Sequence, residues 1–197
     1  MPALTQLIPV QELAPGAVAA IRNEVVNFLL AKASSELKMG RDLLIARDLR
    51  PQSDLDWGSD ATTGLAKTAL TTDIWNLTSD DSLSGYLPLI TSASTVMADQ
   101  RYVGIFGLRD TRMALATPIA QVTSLWKFDV GHSVKAIWDL SKCNAYKSMI
   151  CGVSPSAIII PQNTYFQIYG YSIATNTAHY VLLEGVVVEP RGKVISP

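Results

Sequence analysis

Charge is scarce in this chain of 197 residues: Lys, Arg, Asp and Glu make up 17% of it, against about 25% in ordinary soluble domains. The net charge is −1, and the charged residues are spread along the chain without a basic cluster. That excludes the patch a nucleic-acid backbone requires for counterion release. Histidine and cysteine are rarer still, at two each. His132 and His179 lack the clustered His, Cys or acidic companions of a metal site, so both read as loop or packing residues. Cys143 and Cys151 are too far apart for a CxxC motif and have no companion pair. They read as reduced, mostly buried thiols.

Long apolar runs are also missing. A spanning helix needs about 20 predominantly apolar residues, and the best helical stretch, 15–34, is interrupted by Arg22, Asn23 and Glu24. The start of the chain lacks the basic region and cleavage pattern of a signal peptide. No glycine-rich phosphate loop follows any expected strand. Membrane and nucleotide partners are therefore not expected, and no cofactor is called for. The segment Gly152-Val-Ser154-Pro-Ser156 approaches the serine-nucleophile elbow, but it lacks the final glycine and Pro155 blocks the helix that should follow. Ser154 is expected in a loop, and the chain is expected not to be an enzyme.

What is present is apolar. The hydrophobic share is 48% and the mean hydropathy +0.21. Without a membrane segment, those numbers call for a large core or for surface covered by a partner, and self-association into a closed dimer or trimer is the expected outcome. Over residues 15–32, Val18, Ile21, Val25, Phe28 and Leu29 recur at three- and four-residue steps on one helical stripe. Pro15 suits the first turn, and Ser34 and Ser35 are expected to loosen the end. This stripe can pack on the chain's own sheet or dock into a neighbour.

After the helix the texture changes to short β-branched and aromatic runs punctuated by Gly, Pro, Asn, Asp and Ser. Strands are expected at 43–47, 101–108, 113–117, 122–128, 134–138, 157–160, 165–171 and 179–188, with a short one around 74–77. A turn is expected at Arg109-Asp110. The last two runs, joined by a short polar loop, are expected to pair with each other. Phe166 and Ile168 should face one side, with Tyr165, Gln167 and Tyr169 on the other. Such a count and spacing indicate a sandwich or barrel. Residues 54–94 read as a long irregular excursion carrying Trp57 and Trp75, which suit a contact surface. Trp126 and Trp138 suit the core. Asp54, Asp56 and Asp60 place three carboxylates at even-numbered steps in an acidic loop. It reads either as solvated or as a weak Ca²⁺ site, departing from the EF-hand pattern at Gly58 and Leu65.

The organisation expected is an N-terminal helical arm over 1–35 followed by an antiparallel, jelly-roll-like β-sandwich over 36–197. Region 101–197, above all 158–170 and 182–192, resembles in texture the β-sandwich structural proteins of prokaryotic viruses, whether capsid subunits or head decoration (cement) proteins. The resemblance implies a virion structural protein on the capsid surface, assembled in the host cytoplasm. Its implied partners are copies of itself and a major capsid protein. Val18, Ile21, Val25, Phe28, Leu29, Trp57 and Trp75 are the candidate interface. The alternative is a receptor- or carbohydrate-binding module, such as one from a phage tail.

Overall fold

Strands of this sequence pair in a nested order. The computed structural model describes residues 4–50, 54–55, 76–78, 85–88, 96–110, 123–143, 151–172 and 178–194. Along the chain these form β1 (Leu4–Gln6), β2 (Ile8–Pro9), α1 (Ala17–Leu37), β3 (Leu44–Asp48), β4 (Asn76–Thr78), β5 (Gly85–Pro88), β6 (Tyr102–Asp110), β7 (Thr123–Val130), β8 (Val134–Asp139), β9 (Cys151–Ile160), β10 (Phe166–Ser172) and β11 (Ala178–Pro190). The innermost pair, β7 with β8, turns at Gly131 and His132, both at positive φ, as a two-residue hairpin of the primed type demands. Outside it β6 pairs with β9, then β5 with β10, then β3 with β11, all antiparallel. The chain is thus one long hairpin, rolled so that alternate pairs fall in different sheets. The first sheet runs β1-β8-β7-β10-β5 and the second β2-β9-β6-β11-β3, with β4 also on β11.

The fold is mainly β, a sandwich of two antiparallel-rich sheets with one N-terminal α-helix. Side-chain alternation fills the space between the sheets. Trp126, Phe128, Phe166 and Ile168 point in from the first sheet, and Val103, Ile105, Ile158, Ile160 and Val187 from the second. Opposite them, Tyr165 just before β10 and Gln167 and Tyr169 on it are only partly buried, as the sequence requires.

Several expectations are corrected. The final two runs do not pair: β10 lies between β7 and β5, and β11 between β6 and β3. The two strands therefore belong to different sheets. Arg109-Asp110 is not a turn but the end of β6, opposite Leu182 and Val181 of β11. Strand β9 starts at Cys151 rather than at 157, because residues 154–157 bulge opposite Phe106 alone while pairing continues on both sides. Pro155 is tolerated there because a bulge asks it for no ladder N–H. Helix α1 runs five residues past the expected end at 32. Pro15 stands before it, and Gly16 is its N-cap. Leu37 closes it through left-handed Lys38, whose N–H and that of Met39 both reach the Ser34 carbonyl. The expected run 113–117 lies outside the described residues.

Candidate assembly surface

Helix α1 lies on the outer face of the second sheet. Its seat is a glycine: a Cβ at Gly104 would stand 2.5 Å from Val25 Cγ1 and 3.2 Å from Leu29 Cδ1. The bare backbone is what lets the helix come this close. Val25, Leu29 and Ala33 are buried there with Tyr102, Phe106, Val186 and Val188. Polar contacts fix both ends of the helix. Arg22 Nη2 lies 2.7 Å from Asp48 Oδ1 on β3, and the Tyr102 hydroxyl donates to Glu36 Oε2 at 2.9 Å. A hydrogen bond from Lys32 outweighs the opposing effect of burial and, with a lesser one from Tyr102, holds the Glu36 carboxyl below its usual range. Burial first, and then Glu36, pushes the Tyr102 phenol well up.

The helix carries more apolar surface than its own sheet covers. Val25 and Leu29 are buried, Val18 and Ile21 are half-buried, and Phe28 is 53% exposed. An open groove of about 260 Å³ runs along this flank, between Ile21, Val25 and Phe28 of α1 and Pro155, Ala157 and Ile159 of β9. Near the start of α1 a cleft of about 460 Å³ has an apolar floor that includes Val10, Val18, Phe106 and Val153. Two ion pairs stand at this cleft, Arg22 with Asp48 and Arg109 with Glu184 at 2.5 Å. Burial raises the Glu184 carboxyl, partly offset by Arg109. Of the seven candidate interface residues, the structure gathers Val18, Ile21, Val25, Phe28 and Leu29 on α1. Trp57 and Trp75 lie outside the described residues.

The other candidates have structural partners. Ser154 is buried in the β9 bulge and its hydroxyl donates to the Ser156 carbonyl at 2.8 Å. His132 stacks on Tyr165, ring centroids 4.1 Å apart. His179 sits on β11 opposite Leu77. The Cys143 thiol is buried and donates to the Leu7 carbonyl, whereas the Cys151 side chain is outside the description. Among the described residues no group of three His, Cys, Asp or Glu could hold a metal ion. Asp54 is committed elsewhere: both its oxygens lie 2.7 Å from Arg47, and one also accepts from the Arg50 N–H. A carboxylate so engaged has little left to offer Ca²⁺, and Asp56, Asp60 and Leu65 lie outside the described residues.

Sequence reasoning missed the cluster that holds Asp54. Arg47 and Arg101 both bind Glu189 at 2.8–3.0 Å, and Arg101 also lies 3.5 Å from Asp54. Both carboxylates are buried. The residues are too scattered along the chain for any motif to have shown them.

The outer face of the first sheet is different. The Tyr165 and Tyr169 hydroxyls both donate to Gln167 Oε1, and the Lys127 ammonium sits 4.0 Å over the Tyr169 ring. Both rings of this platform therefore already carry a stacked partner, His132 on one and Lys127 on the other. Compared with known proteins, the chain matches no protein family, no curated protein and no solved structure.

Proposed function

We propose that this chain is a non-enzymatic structural subunit of a virus particle, a capsid decoration (cement) or minor capsid protein that works through protein–protein contacts. The observation that carries the assembly role is the open groove beside α1. It joins an exposed phenylalanine to an apolar strand flank in a chain short of charge, so that a partner side chain seated there would cover both. The nested pairing of β7/β8, β6/β9, β5/β10 and β3/β11 supports the finer reading of the sandwich as a jelly roll, an architecture recurrent in viral shells. Fold alone does not give function, so the groove carries more weight than the topology. The alternative, a carbohydrate-binding module, would look to the tyrosine platform, where His132 and Lys127 already cover one face of each ring.

The test is Phe28→Asp. Because Phe28 is half out of the fold, the melting transition should hold within the range of a surface change, about 0.5 kcal/mol. Light scattering should meanwhile show loss of the wild-type oligomer or of particle binding. An unaltered assembly would remove the groove from the function. The viral part is tested by the neighbouring genes, where a portal, terminase or scaffold gene is expected.

A further inference from the structure

The first six described residues stand apart from the rolled hairpin. β1 pairs with β8 in parallel, Leu4 opposite Ile137 and Gln6 opposite Asp139, whereas the nested pairs are all antiparallel. β2 then pairs with β9 in the other sheet. Residues 4–9 thus form one strip that crosses from sheet to sheet and seals the seam between the β8 and β9 edges. Unsealed, those edges would present open rows of N–H and C=O groups.

One side chain anchors the strip in the core. Leu7 is fully buried, its N–H donates to the Asp139 carbonyl at 3.0 Å, and its carbonyl accepts the Cys143 thiol. The slot is cut to fit, since a Cβ at Gly152 would stand 3.0 Å from the Leu7 Cβ and 2.7 Å from Cys143 Sγ. The connection to the body is looser. No residue from Val10 to Gly16 is fully buried, only Val10 and Leu13 packing partly against the cluster under α1, and the link ends in Pro15 and in Gly16 at φ +85°. Its Glu12–Lys142 ion pair is exposed, of the kind that costs little to exchange.

We propose that residues 4–9 are an exchangeable strand, and that in the assembled protein the strip of one subunit seals the seam of a second copy. The rolled hairpin is complete without the strip, so withdrawing it removes none of the nested pairs. The seam makes the same contacts with either copy's strip, and only the link, with its partial contacts at Val10 and Leu13, must change course. Those are the conditions under which swapping an element between protomers costs little. The proposal rests on self-association, taken from the proposed function, and adds to it the segment that joins the copies.

Leu4→Cys with Ile137→Cys, and independently Gln6→Cys with Asp139→Cys, place thiols at register partners without touching Leu7. Unlabelled and isotope-labelled chains are mixed in equal amounts, refolded together, oxidised and mapped by mass spectrometry. Exchange predicts that about half of the linked peptides join one labelled and one unlabelled chain, as random pairing of copies requires. An oligomeric sample with same-isotope links alone overturns the exchange and leaves the assembly role standing. A monomer by light scattering overturns both, and no link from either pair would place the strip off β8 and overturn the exchange.

Discussion

The two sheets share one core but treat their outer faces in opposite ways. The second sheet is covered on both sides by its own chain, by α1 outside and by the core and the Arg47–Asp54–Arg101–Glu189 cluster inside. The first sheet is covered inside and carries outside a self-contained polar and aromatic layer of Tyr165, Gln167, Tyr169 and Lys127. The sequences of the strands record this difference. On β11, Val186-Val187-Val188 is apolar at every position because each side of the strand is buried, while β10 alternates from Phe166 to Tyr169. A continuous apolar run therefore announces an outer cover. Here that cover is a helix that leaves one flank of itself open.

The inner cover is the costliest to break. Arg47→Met would leave two buried carboxylates with Arg101 as their remaining cluster partner, and removing one partner of a buried charge pair costs about 3–5 kcal/mol. A urea midpoint shifted by less than a third of that, at unchanged slope, would mean that the cluster is hydrated. The outer cover comes next. Leu29→Ala empties a fully buried site between α1 and Gly104 and should cost about 2–5 kcal/mol. On the bare sheet Lys127→Ala removes a cation–π contact worth about 0.5–1 kcal/mol. Equal losses from these two variants would erase the distinction between the sheets.

Much of this was legible because it is local. The helix shows in the spacing of Val18, Ile21, Val25 and Leu29, the core tryptophans in their strand positions, and the outward tyrosines in the alternation of β10. What was hidden is what distance decides. Nothing around 174–177 says whether the loop closes a hairpin or crosses between sheets. Arg109 looks like a turn residue until Glu184, on the neighbouring strand, gives it a partner. The strip 4–9 is too short and too close to Pro9 to read as strand, and its pairing partners lie more than a hundred residues away. The candidate site was half legible: the stripe marks which residues α1 presents, but only the position of β9 tells which of them stay open.

The last expected effect concerns how the helix end is pinned, and it is a change with pH rather than a single loss. Tyr102 lies under α1, and its hydroxyl donates to Glu36, so Tyr102→Phe should cost about 0.5–1.5 kcal/mol at neutral pH, the worth of one hydrogen bond. Burial, and then the Glu36 carboxylate, raises the phenol's pKa in the folded protein. In the unfolded chain it titrates near its ordinary value of 10.0. Its contribution is therefore complete below that pH, and it declines as pH rises above it, because the unfolded state gives up the proton first. The phenylalanine variant lacks this decline. The stability gap between wild type and variant should accordingly narrow as urea melts are taken from pH 8 upward through about 11. Burial also raises Tyr169 on the bare sheet, but no carboxylate accepts its hydroxyl, so Tyr169→Phe should narrow the gap less. A gap for Tyr102→Phe that stays constant across this range would mean that the phenol is open to water and that α1 does not seal the sheet beneath it.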